Sequence, residues 1–298
     1  MTEAPHSGHD RPGHDWTPRH LVALIAANVA LALGPLLVRL ADTGPVASGF
    51  WRLGLALPVL GALALREPAA QRRVGGATLA LILGAGVFFA LDLASWHLGI
   101  EKTKLGNASL FGNAGSLILM VWGLVAARRA PHLLELLAIA AALGGAALLM
   151  GGSLELSHAN LVGDMLCLLA GLFYAFYILM LNSARARLGQ FSLLAISTAA
   201  SAPIMLVLAS LRGEAIIAQD WTPLLTLAFT SQIFGQGLLI YSLRHFTPLV
   251  IGLALMTQPA ISAATGWLAF GEVLSLADAA GMLLLAVALV LARAGDRA

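Results

Sequence analysis

Apolar residues along the chain gather into ten blocks, at 21–40, 46–65, 77–98, 105–127, 133–151, 161–182, 191–211, 223–243, 248–270 and 274–292. A block of about 20 apolar residues crosses a hydrocarbon core of about 30 Å as an α-helix. The links between blocks are short and hold most of the charge, which leaves little room for a soluble domain. The pattern predicts an all-α, polytopic membrane protein with ten transmembrane helices, whose function resides in packed helices. Ahead of the first block runs "MTEAPHSGHDRPGHDWTPRH". It lacks the apolar core and cleavage site of a signal peptide, and residues 1–19 are expected to form a disordered cytoplasmic tail.

The blocks repeat. Displacing the sequence by 145 positions against itself superposes them pairwise and brings Gly44 onto Gly189, Pro58 onto Pro203, Phe89 onto Phe234 and Trp122 onto Trp267. In a chain rich in Ala and Leu, the Gly, Pro and Trp matches carry the weight. The two units, 20–152 and 160–293, hold five helices each. An odd number makes the second unit cross the membrane upside down relative to the first. Inverted duplication of this kind builds carriers that rock about a site near the midplane.

Composition agrees: 59% of residues are hydrophobic, 11% are charged and the mean hydropathy is +0.87, against roughly 45–50% and 25% in soluble proteins. Arg11, Arg19, Arg66, Arg72, Arg73, Arg128, Arg129, Arg185, Arg187, Arg244, Arg293 and Arg297 fall on the side of the N terminus, while Arg39, Lys102, Lys104 and Arg212 fall on the other. Positive residues are retained inside, so both termini are expected in the cytoplasm and the chain in the cytoplasmic (inner) membrane. The net charge of +2 follows from that topology, and the partners expected are lipid and a small-molecule substrate, with no nucleic acid. A monomer or homodimer satisfies the pattern. Cys167 lies inside an apolar block, so there is no disulfide framework. No block carries a His-x-x-x-His pair, and no G-x-x-x-x-G-K-[ST] loop occurs. Neither a metal, a cofactor nor an enzymatic activity is expected.

One carboxylate lies deep. In "GVFFALDLASWHLG", residues 86–99, Asp92 stands in an apolar run, where an acid costs about 2.5–3.5 kcal/mol on insertion scales and faces the bundle interior. Helical spacing sets Gly84, Phe88, Asp92 and Trp96 on one face, with Phe89 extending the ring set. A solute ammonium would pair with the acid or sit over a ring, an attraction of about 0.5–2 kcal/mol. Arg52 in the second block is at the same depth, about 6 Å outward of the centre. An ion pair between Arg52 and Asp92 therefore competes with solute or proton handling, and Arg52 also has the option of reaching the headgroups. An unperturbed histidine titrates near physiological pH, which makes His97 a candidate coupling group or a solvated histidine at the outer mouth. The repeat partner of Asp92 is Gly237, so the acid is this chain's own addition to the shared fold.

Amides form a second set. In "GNASLFGNAGS", residues 106–116, Ser109, Asn113 and Ser116 share a face, and the displacement sets Gln258 on Asn113. Such a pair serves a solute's carboxylate or amide from both units, or glues helices at about 0.6 kcal/mol each. Asn28, Gln232 and Gln236 are of the same kind. Tyr174 and Tyr177 lie mid-block, where each hydroxyl needs a partner, and Tyr241 is the repeat counterpart of Trp96. Pro35, Pro58, Pro203 and Pro259 are expected to kink helices or mark moving gates.

The stretch "IYSLRHFTPLVIGLALMTQPAISAATGWLAFGEVLSLADAAGMLLLAVALV", residues 240–290, resembles the end of a repeat in the EamA branch of the drug/metabolite transporter superfamily. The landmarks are the aromatic-Ser-Leu step at Tyr241 to Leu243, Pro259 in mid-helix and Gly271-Glu272. "GFWRLGLALPVL" gives the first half its likeness, although Ala114 and Ala126-Ala127 stand where the pattern expects Pro and Gly-Glu. The resemblance implies two five-helix repeats, a central cavity lined by helices 1–4 and 6–9, peripheral helices 5 and 10, and a small metabolite as substrate, often an amino acid being exported. The expected function is a secondary carrier of small organic metabolites, amino acids first, working by alternating access. The alternative is a proton-coupled antiporter of cationic or hydrophobic drugs. The small multidrug exporters of this superfamily depend on a glutamate in their first helix, and here that helix has no acid.

Overall fold

The computed structural model describes residues 17–103, 108, 111–128, 130–151, 160–185, 188–258, 260, 261, 264 and 275–295, apart from the side chains of 35, 39, 149–151, 292, 293 and 295. The expectations for the tail 1–16, Ser109, Pro259, Trp267 and Gly271-Glu272 lie outside those residues. Helix occupies part of each of the ten predicted blocks, and no strand occurs among the described residues. Six helices there are long and apolar enough to cross a membrane, Pro18–Val38, Pro45–Leu65, Gly76–Ile100, Leu161–Ala184, Gln190–Leu211 and Thr222–Ser242. Shorter apolar helices at Ala114–Ala126, Leu133–Leu148 and Leu276–Leu291 fall in further blocks. The chain is a polytopic membrane protein.

The first block is two helices, α1 (Pro18–Ala32) and α2 (Gly34–Leu40), parted by a turn at Leu33. Pro35 stands in the first turn of α2, where its missing N–H costs nothing, so the interruption falls just ahead of it. α3 (Pro45–Leu65) runs unbroken through Pro58, as α8 (Gln190–Leu211) does through Pro203. One lost hydrogen bond is absorbed where neighbouring helices hold the segment. Breaks come instead at Asn113, ahead of α5 (Ala114–Ala126), and at Met256–Thr257, after α11 (Pro248–Leu255). The 145-residue displacement sets Asn113 on Gln258, the residue just past the second break, so the two breaks fall within two residues of equivalent positions. A π-helical segment, Ala228–Gly235, joins α9 (Thr222–Leu227) to α10 (Gln236–Ser242). The remaining helices are α4 (Gly76–Ile100), α6 (Leu133–Gly151), α7 (Leu161–Ala184) and α12 (Leu276–Gly295).

Packing obeys the repeat. α3 lies along α8 and α6 along α12, each pair made of equivalent helices, and α5 lies along α11, which belongs to the equivalent block. Other contacts come in matching sets: α4 on α7 answers α1 on α10 and the π segment, and α4 on α8 answers α3 on the π segment. Close approach between α5 and α7 is possible because a Cβ at Gly115 would fall on the Gly171 carbonyl oxygen. α6 and α12 stand apart from the main core, in a second cluster with Met120, Leu249 and Leu253.

The α3–α8 pair is capped reciprocally. Glu67, in the link after α3, accepts from the Phe191 and Ser192 amides at 2.8 and 3.1 Å and from the Ser192 hydroxyl at 2.6 Å, closing the start of α8. Glu214, in the link after α8, accepts from the Ala47 amide at 2.9 Å, closing the start of α3. A carboxylate suits both places, because the first amides of a helix lack partners and carry partial positive charge.

Candidate functional site

A partly open cavity of about 150 Å³ lies in the half of the molecule away from the N terminus. That location follows from its lining: the end of α1 and start of α2, the outer parts of α3 and α4, and the break ahead of α5. Toward the N-terminal side, Leu24, Leu60, Ile82, Leu181, Leu193, Leu243 and Phe246 fill one continuous core. Among the described residues, the cavity occupies one half of the bundle and continuous apolar packing the other.

From α4 the cavity receives Phe89, Asp92, Leu93, Trp96 and His97. These residues centre on an arc from which Phe88 is turned by about 100° at 3.6 residues per turn. Phe88, expected on the cavity face, packs outward against Phe173 and Phe176, with ring centroids at 6.0 and 5.2 Å. Phe89 takes its place, backed by Tyr177, whose ring stacks on it at 4.4 Å. Tyr177 is wholly buried and does not line this cavity. Tyr241 is also absent from the cavity. It lies at the N-terminal side against His20 and His245, because inversion of the repeat sends the counterpart of Trp96 to the opposite face.

Arg52 and Asp92 both line the cavity and interact electrostatically. They form no ion pair within 4 Å, and Asp92 makes no hydrogen bond among the described residues. Arg52 is 7% exposed and does not reach outward to headgroups. Its Nε donates to Gln232 Oε1 at 3.2 Å, Gln232 donates on to Thr198 Oγ1 at 2.9 Å, and the guanidinium stands 5.8 Å from the Phe89 centroid. A buried acceptor holds the guanidinium where solvation would otherwise pull it. α8 supplies Thr198 from behind and contributes no lining residue among those described, unlike the other helices expected around the cavity.

His97 was expected at a solvated mouth and is instead 1% exposed. Its Nδ1 bonds the Pro45 carbonyl at the start of α3. Tyr174, Gln236, Gln258 and Asn113 line the cavity. Asn28 does not: it donates to the Ala254 carbonyl at 3.0 Å and accepts from Gln258 Nε2 at 3.3 Å, fixing Gln258 beside the break in the ninth block.

Sequence reasoning passed over the small and apolar lining: Leu31, Ala32, Gly34, Ala170 and Gly171. Gly34-Pro35 was a visible signal for the helix break. Nothing in the local pattern marks Ala170 or Gly171, whose place depends on the approach of α5.

A family model described as EamA-like transporter family matches residues 19–151 and again 161–294. A comparison with curated proteins finds no match. One solved crystal structure, described only as that of a protein, has the same fold: TM-score 0.78 at 14% identity, covering 94% of this chain and 96% of that one.

Proposed function

The chain belongs to the EamA-like transporter family of the drug/metabolite transporter superfamily, and from that premise we propose that it carries small zwitterionic metabolites, amino acids first, across the cytoplasmic membrane by alternating access in the direction of export. As a family member it is a membrane transporter of small molecules. The observation that carries the finer reading is a cation and an anion lining one cavity without pairing. A solute with both charges answers both: its carboxylate meets the terminal guanidinium N–H groups of Arg52, a geometry suited to two parallel hydrogen bonds, and its ammonium meets Asp92. Phe89, Trp96 and Tyr174 supply apolar surface for a side chain. A cationic drug would find Asp92 but also Arg52 in the same low-dielectric space, where like charges repel strongly. That observation ranks the proton-coupled drug antiporter second.

Counterflow in liposomes tests the reading, with a panel of amino acids and organic cations, with and without a pH gradient. Wild type is expected to exchange zwitterions without a gradient. Asp92→Asn, which keeps shape and loses charge, is expected to lose at least about tenfold in exchange while eluting as wild type does, one charge-assisted hydrogen bond being worth that much. Failure to exchange any amino acid would sink the proposal, and gradient-dependent exchange of organic cations would install the antiporter.

A further inference from the structure

Once the hydrogen bonds already made are set aside, the cavity is rich in acceptors. His97 Nε2 and Gln236 Oε1 are buried and have no partner, and both residues line the cavity and are 1% exposed. The Pro45 carbonyl beside Nδ1 can only accept, so the proton sits on Nδ1 and Nε2 holds a lone pair. The Asp92 carboxylate, with no hydrogen bond among the described residues, is the third acceptor. Native proteins rarely leave buried polar atoms unpaired, and those that remain call for a reason.

We infer that Asp92, His97 and Gln236 form a seat for an unsubstituted ammonium, and that the carrier discriminates primary amino acids from their N-methylated derivatives. The inference rests on the zwitterion reading above and names which zwitterions. A primary ammonium has three N–H donors for three acceptors. His97 follows Asp92 by five residues, about 7.5 Å of helix rise and roughly 140° of turn, so the two stand at the two edges of the cavity-lining arc of α4 and flank the space between them. Each N-methyl group keeps the positive charge, and so keeps the attraction to Asp92, but removes one donor and leaves one acceptor facing a methyl. A site built to hydrogen-bond a group rejects an analogue that lacks it far more strongly than shape alone would. A quaternary ammonium has no donor at all and can be held here only over the rings of Phe89, Trp96 and Tyr174.

The test takes the amino acid best exchanged in the panel and measures competition by its N-methyl, N,N-dimethyl and N,N,N-trimethyl derivatives against it in wild type. The expected result is a loss of about tenfold or more across the series. His97→Phe and Gln236→Met, each assayed with the same series, are expected to bring the primary and N-methyl solutes within about threefold of one another. Equal competition by primary and trimethylated solutes in wild type overturns the inference and leaves the zwitterion reading standing. A wild-type gradient preserved in either variant that elutes normally also overturns it. If no amino acid is exchanged, both readings fall together.

Discussion

At Gly189 a methyl group would fall onto the Glu67 carboxylate, and at Gly44 onto the carboxylate of Glu214. The two glycines are repeat equivalents, and both have extended backbone that any residue adopts, with φ of −66° and −61°. Room for the capping acid is therefore what glycine provides, since each cap brings its carboxylate against the backbone it serves. Gly189→Ala is expected to lower stability by about 1–3 kcal/mol, the usual cost of overpacking, read as a lower thermal midpoint in detergent. Gly75→Ala, with open space around it, is the control and should leave the midpoint unchanged. The match of Gly44 with Gly189 was legible in the sequence as evidence of duplication. Its cause was not, because Glu67 and Glu214 have no similar match at 145 residues and meet the glycines only through folding.

At the scale of elements, prolines were the visible breakers, yet the helices part at Leu33, Asn113 and Met256–Thr257. At the last of these the Thr257 hydroxyl donates to the Ala254 carbonyl at 2.6 Å, a local bond that competes with helix continuation. The N-terminal face is closed in part by His20 of α1 stacked on His245 in the link between α10 and α11, ring centroids 3.7 Å apart. Burial first, then the positive charge of His20, Arg244 and Arg185, holds His245 below its ordinary value of 6.5. The folded chain keeps this imidazole neutral while the unfolded chain takes up a proton near 6.5, so the stability contributed here is present above that pH and is lost as pH falls below it. The thermal midpoint of wild type is expected to fall on acidification from about pH 8 to pH 5, the histidine range, more steeply than that of His245→Phe. Identical slopes would show that the stacked pair does not respond.

At the scale of the molecule, the proposed alternating access makes the unequal halves one of two states. The cavity lies in the half away from the N terminus, and on that proposal exchanging the conformations of the two repeats would place it in the other half. His97 maps onto Ser242, which is wholly buried. With the single cysteine Cys167 replaced by Ser, Val38→Cys is expected to react with a membrane-impermeant thiol reagent from the open face and to be protected by solute. Ser242→Cys should react only from the N-terminal face and only while solute is turning over. Reaction of Ser242→Cys in the empty, resting carrier would contradict the closed side described above.

Pattern and composition by themselves determined that this chain is a duplicated, ten-block helical membrane protein, because block length and a 145-residue displacement are properties of the chain as a string. They also found Asp92, since a charge among apolar residues is conspicuous without any structure. Which ring lies beside that charge, Phe89 or Phe88, turned on the rotation of α4 against its neighbours, set by packing. That Arg52 holds to Gln232, 180 residues away, and leaves Asp92 unpaired across a shared cavity was decided by tertiary structure alone. Equal depth brings two charges to one level of the membrane, but only the packing of the Gln232 segment against α3 determines whom Arg52 meets.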